Sequence, residues 1–349
     1  MIDSADVSQV FNKDLVTRVS EQARMRKIAK YVNAEIMYVT QPGGSIELLE
    51  HFVAVSKVDK AVVLAIRGTY SLSGLQIDAA AYNKPFLGGV GVAHSGMAER
   101  TDFLWDHAKD TILEALKNNP GYDFIISGHS LGAGTSALLA LQLNYDAFFA
   151  KHGDELLKHV KVKCFAFAPP PVFVQTDNTK ITVLKVKDAI ANTSAFIHEN
   201  DCVLFMSIDA VRRLANMMTL VGAKTVCKPV RRLLMAADQI KIPQDVVDIA
   251  VSGSTYMLPA VNDAQRLATP APYVVWMRNF DVDDNDLPQF DAMLCRPHLD
   301  SILKGTNDLS ILLHRSMISD HMNPMYERAV NSVLEQIVKH KKPGYVFPV

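Results

Sequence analysis

A strand-like run, Tyr122-Asp123-Phe124-Ile125-Ile126-Ser127, passes without a linker through Gly128-His129-Ser130-Leu131-Gly132-Ala133-Gly134 into an Ala/Leu-rich segment that reads as a helix to about Leu143. This junction constrains the fold more than any other feature of the chain. A buried strand that becomes a helix at once must turn within a few residues, and a side chain at Gly128 or Gly132 would collide in so tight a turn. Ser130 then sits at the apex of a strand-to-helix turn.

The flanking segments repeat this alternation. Ile36–Val39, Phe52–Val55 and Ala61–Ile66 read as strands, the last apolar throughout, as in a strand covered on both sheet faces. Phe103, Leu104, Ala108, Ile112 and Leu116 form one helical stripe that predicts a helix from about Ala98 to Leu116, ended by Asn118-Asn119-Pro120-Gly121. Further strands are expected at Val162–Ala168, Thr193–Ile197 and Tyr273–Trp276. Strands interleaved with helices imply an α/β fold with a mostly parallel central sheet flanked by helices, and no internal repeat argues for division. We therefore expect one domain over residues 1–349, led by a helical segment at 1–33.

Composition excludes several classes. Hydrophobic residues make up 49% of the 349, which rules out a disordered or collagen-like chain. The balance of 36 basic and 37 acidic residues removes any global affinity for nucleic acid. Cys164, Cys202, Cys227 and Cys295 lack the short paired spacings of a zinc site or a disulfide framework, so reduced thiols are expected. Acids in Met1-Ile2-Asp3-Ser4-Ala5-Asp6, where a secretory leader needs a basic flank, and the lack of a long apolar span lead to the expectation of a cytoplasmic protein.

A serine hydroxyl is a poor nucleophile at neutral pH, so chemistry at Ser130 requires a histidine base and a carboxylate to orient it. In the α/β-hydrolase order both follow the serine. Asp201 leaves the expected strand Thr193–Ile197 through His198-Glu199-Asn200 and is the expected acid, with Asp188 and Asp209 as rivals. His321 precedes a helix start marked by Asn323 and Pro324 and is the expected base, with His314 as competitor. For the oxyanion, Leu131 N–H follows the nucleophile, and Thr69 in Arg67-Gly68-Thr69, after the Ala61–Ile66 strand, is placed to supply the second donor.

Several ordered motifs carry a resemblance. Arg67-Gly68-Thr69, Val92-Ala93-His94-Ser95-Gly96-Met97, Gly128-His129-Ser130-Leu131-Gly132-Ala133-Gly134, Phe165-Ala166-Phe167-Ala168-Pro169-Pro170, Asn200-Asp201 and Asp320-His321 together resemble the class 3 lipase family, over roughly residues 60 to 330. The Phe-Ala-Phe-Ala-Pro-Pro segment is most similar to the diacylglycerol lipase branch. The resemblance implies an α/β-hydrolase fold, a Ser130–Asp201–His321 triad, an oxyanion hole of Thr69 and Leu131, and a structural role for His94. It also implies hydrolysis of di- or triacylglycerols through an acyl-enzyme, with no cofactor or metal. Phospholipid, galactolipid or a non-lipid ester is the alternative substrate, and an inactive lipid- or protein-binding scaffold the alternative of another class.

The same resemblance makes residues 70–91 a lid, with Leu72, Leu75, Ala79 and Tyr82 at helical spacing and glycines at 88, 89 and 91 to let it swing. The 120 positions from Asp201 to His321 imply a helical insertion near 206–250. Between 206 and 235 six basic residues face one acid, Asp209, which suits peripheral contact with a membrane or lipid-droplet surface, or a solvated basic face.

Overall fold

Apolar runs become the inner strands. A computed structural model describes residues 28–30, 32–40, 49–68, 83–206, 267–282, 288–295 and 316–339. Ala61-Val62-Val63-Leu64-Ala65-Ile66 forms β3 (Ala61–Ile66), which has a neighbour on each side. The first hairpin, β1 (Glu35–Val39) and β2 (His51–Ser56), adds antiparallel strands at one side.

Two short strands follow, β4 (Asn83–Phe86) and β5 (Gly91–His94), before β6 (Asp123–His129) pairs in parallel with β3. Next to β6 lie β7 (Val162–Phe167), then β9 (Thr193–His198) and β10 (Tyr273–Val282), all parallel, with β11 (Pro288–Cys295) closing antiparallel. The eight-stranded order is β1-β2-β3-β6-β7-β9-β10-β11, and a second sheet, β4-β5-β8, uses β8 (Phe173–Gln175). This mostly parallel sheet with helical crossovers is the expected α/β-hydrolase architecture.

Register places the strand ends level. Ile66 lies opposite Gly128, Gly128 opposite Ala166, and Phe167 opposite Phe196. The chain leaving β3, β6 and β9 therefore emerges at one edge of the sheet, the usual place for chemistry in such folds.

Among the described residues, four helices of eleven residues or more flank the sheet: α1 (Ser95–Asn118), α2 (Leu131–Tyr145), α3 (Lys180–Ile190) and α4 (Asn323–Lys339). His94 caps α1, its Nδ1 accepting from Met97 N–H at 3.4 Å, which gives the structural role implied for it. Leu104 and Ile112 of α1 join Leu64, Phe124 and Leu139 in one buried cluster. The α2 stretch is buried on almost every face, so its Gly, Ala and Leu content reflects enclosure rather than an amphipathic stripe. Tyr326 and Ala329 of α4 pack on Met277 and Phe290.

The predicted strands and helices fall within a few residues of these elements. The second sheet, α3 and β11 are not predicted. Of the expected N-terminal helical segment, residues 28–30 and 32 are helical and 1–27 lie outside the described residues. The lid pattern at 72–82 and the insertion at 207–250 also lie outside them.

Residues 83–91, the described part of the expected lid, differ from a swinging loop. They form β4, a tight turn with Gly88 and Gly89 at φ 67° and 95°, and the start of β5. Gly91 is required by packing, since a Cβ there would lie 2.4 Å from Val174 O and 2.6 Å from the Phe173 ring. Among the described residues, no helix is long and apolar enough to cross a membrane, and Cys164, Cys202 and Cys295 are free thiols.

Candidate active site

Two close approaches hold the turn between β6 and α2. A Cβ on Gly128 would lie 2.4 Å from Gly132 O, and one on Gly132 would lie 2.5 Å from Ile66 O. Both glycines are therefore needed for the reason the sequence suggested. Between them Ser130 is held at φ 56°, ψ −124°, a conformation that costs a non-glycine residue on the order of 1–3 kcal/mol. Its N–H donates to Phe167 O at 2.9 Å, which ties the turn to β7.

A chain of hydrogen bonds runs from this serine. Ser130 Oγ lies 2.9 Å from His321 Nε2, and His321 Nδ1 lies 2.9 Å from Asp201 Oδ2. Residues separated by 191 and 120 positions thus meet at the sheet edge. Nδ1 faces a carboxylate, which only accepts, so Nδ1 carries the proton and Nε2 is left to accept from the serine.

Asp201 is fully buried, and three donors satisfy it in place of water. Val203 N–H donates to Oδ1 at 2.8 Å, while His321 Nδ1–H and the Tyr326 hydroxyl, at 2.6 Å, share Oδ2. Tyr326 in turn accepts from His198 N–H at 3.0 Å. Burial, followed by the Asp201 charge, pushes its phenol well above the ordinary range, so it stays protonated and remains a donor.

The loop bearing the histidine is fastened to the loop bearing the acid. Asp320 Oδ2 accepts from Asn200 N–H at 3.2 Å and from the Ser316 hydroxyl at 2.5 Å, and Asp320 O lies 3.0 Å from His198 Nδ1. No role for Tyr326, Asp320 or His198 is readable from the sequence alone. Tyr326 looks like an ordinary core aromatic on one helix face, and only the meeting of α4 with β9 makes it a partner of the acid.

The remaining expectations divide. Leu131 is the first residue of α2, so its N–H is among those with no partner inside the helix and can serve an oxyanion. Thr69 lies outside the described residues. Its neighbour Gly68 abuts the nucleophile turn, where a Cβ would meet His129 O at 2.4 Å and Ser130 Cβ at 3.1 Å. Arg67 before it pairs with Glu50. Asp188 belongs to α3, ahead of β9, whereas Asp209 and His314 lie outside the described residues. Among the described residues no group of acid, histidine and cysteine side chains could hold a metal ion.

Two buried histidines make stability pH-dependent. Burial lowers His51 to about 4 and His129 to about 3, against an ordinary value near 6.5. Both are neutral in the fold, so their contribution is fully present above pH 6.5 and is lost as pH falls and the unfolded chain takes up protons that the folded chain refuses. Each should remove roughly 2 kcal/mol by pH 5. The unfolding midpoint is expected to drop between pH 7 and 5, with His51→Gln flattening the drop; equal midpoints at both pH values would contradict this.

An α/β-hydrolase sheet with a linked serine, histidine and aspartate at its carboxyl edge defines a serine-hydrolase type of site. Residues 63–209 match the family described as lipase (class 3), and over that segment the chain carries the class 3 lipase pattern. Mouse diacylglycerol lipase-beta is 32% identical over 128 residues, covering 35% of this chain and 17% of that protein. A secreted mono- and diacylglycerol lipase A from Penicillium cyclopium is 30% identical over 153 residues, 44% of this chain and 45% of that protein. The chain thus matches less than half the length of either relative. The solved mono- and diacylglycerol lipase from Aspergillus oryzae overlaps with a TM-score of 0.38 at 24% identity, over 51% of this chain and 59% of that one.

Proposed function

We propose that this protein is a serine-dependent acylglycerol lipase that releases fatty acid from di- or triacylglycerols. The observation that carries the reading is the hydrogen-bonded sequence Ser130 Oγ, His321 Nε2, His321 Nδ1, Asp201 Oδ2. The similarity to mono- and diacylglycerol lipases favours acylglycerol over other esters.

In this mechanism Ser130 Oγ attacks the ester carbonyl while its proton moves to His321 Nε2. Asp201 keeps Nδ1 protonated and balances the imidazolium. The oxyanion is held by Leu131 N–H and by Thr69. His321 then hands its proton to the departing glycerol oxygen, and a water activated by the same imidazole releases the fatty acid. Each oxyanion donor is expected to contribute about a hundredfold to a thousandfold in rate. Contact with a membrane or lipid-droplet surface, through the basic stretch within 206–235, belongs to the same proposal.

The test is covalent. A fluorophosphonate probe should label the folded wild-type chain, and Ser130→Ala should remove the label together with hydrolysis of a diacylglycerol. A folded wild type that stays unlabelled refutes the enzyme reading, and equal labelling of the variant refutes Ser130 as the nucleophile. Cleavage of a phospholipid panel with no turnover of acylglycerols would redirect the substrate.

A further inference from the structure

Both ring nitrogens of His321 are committed, one to the nucleophile and one to the acid, but neither bond fixes the backbone that carries the ring. That backbone lies in a turn, where His321 N–H reaches Ile318 O at a long 3.3 Å. Beyond the contacts of Asp320, a restraint on His321 itself comes from the nucleophile's own neighbour. His129, the last residue of β6, places Nε2 at 2.8 Å from the main-chain O of His321. A carbonyl oxygen only accepts, so His129 Nε2 carries the proton and donates.

The same ring also packs against the His321 imidazole. The centroids are 4.7 Å apart with planes tilted by 40°, and Tyr326 and His129 meet in a T-shaped contact with centroids 5.5 Å apart. We propose that His129 is a positioning residue for His321, holding its carbonyl by a hydrogen bond and its ring by a tilted ring-to-ring contact, so that Nε2 is aimed at Ser130 before substrate arrives.

This rests on the assignment of His321 as the base. Its electrostatics are consistent, because burial first and the neighbouring His321 second lower His129 to about 3. A neutral His129 keeps its donor and acceptor pattern and adds no positive charge beside the imidazolium formed during turnover. Geometry makes the placement matter, since an error of about 1 Å between reacting groups can cost on the order of a hundredfold in rate.

The experiment separates the two restraints. His129→Phe keeps a ring face and loses the donor, and His129→Gln keeps a donor and loses the ring. Active sites are titrated with the fluorophosphonate probe, and kcat and KM for a short soluble p-nitrophenyl ester are measured per titrated site, well below each variant's unfolding midpoint. Each substitution is expected to lower kcat and the probe's inactivation rate about tenfold, with KM within twofold of wild type. His129→Ala should lower them about a hundredfold where it folds, and the Phe and Gln variants decide the matter where it does not. Unchanged kcat per titrated site, with only stability reduced, overturns the proposal and leaves His129 a packing residue. A wild type that fails to label overturns the function itself, a distinct outcome from labelled variants that react at the wild-type rate.

Discussion

Asp201→Asn is expected to lower kcat by about 10⁴ while leaving the fold intact. The size follows from the three donors that converge on this one carboxylate. An amide oxygen can stay with Val203 N–H, but the NH₂ then faces His321 and Tyr326. His321 must offer a bare Nδ1 to that NH₂, which moves the imidazole proton to Nε2. Nε2 then points a hydrogen at Ser130 and has no lone pair to take the serine proton. The flipped amide fares no better, because it sets NH₂ against Val203 N–H. The measurement is ester turnover per folded molecule, and a loss of tenfold or less would show that Asp201 does not set the tautomer.

Gly132→Ala should also be strongly damaging, through geometry alone. The added methyl would lie 2.5 Å from Ile66 O and 2.9 Å from Arg67 C and O, all of them backbone atoms that cannot rotate away. Overpacking of this kind costs about 1–3 kcal/mol, more where the neighbours are rigid. The first turn of α2 has to move off the end of β3, taking with it Leu131 N–H and Ser130 Oγ. We expect a loss of at least a hundredfold in kcat/KM and in fluorophosphonate reaction rate, together with a lower unfolding midpoint. Wild-type rates in this variant would mean that the turn tolerates displacement and that the tight junction is not what aims the nucleophile.

Much of this arrangement is legible in the sequence. Gly128-His129-Ser130-Leu131-Gly132 announces itself because a strand, a tight turn and a helix follow one another without a linker between Tyr122 and Leu143, each encoded by local sterics. Asp201 and His321 are reachable because each lies beside a recognisable boundary, Asp201 just after the end of β9 and His321 just before the start of α4. The second sheet was missed because β4, β5 and β8 have only four, four and three residues, too few for an alternating pattern. The glycines at 88–91 suggested hinges, but φ in the turn and the Phe173 ring beside Gly91 give them another reason.

The sequence by itself determined the nucleophile turn, the strand and helix alternation around it, and the three residue types the chemistry needs. These depend on periodicity, sterics and order along the chain. Only the tertiary structure decided what surrounds the acid and the base. Tyr326 on Asp201, Asp320 on Asn200, and His129 on the carbonyl of His321 join positions 120 or more residues apart. No local pattern encodes such pairs, because each polar atom finds its partner only where packing excludes the water that would otherwise satisfy it.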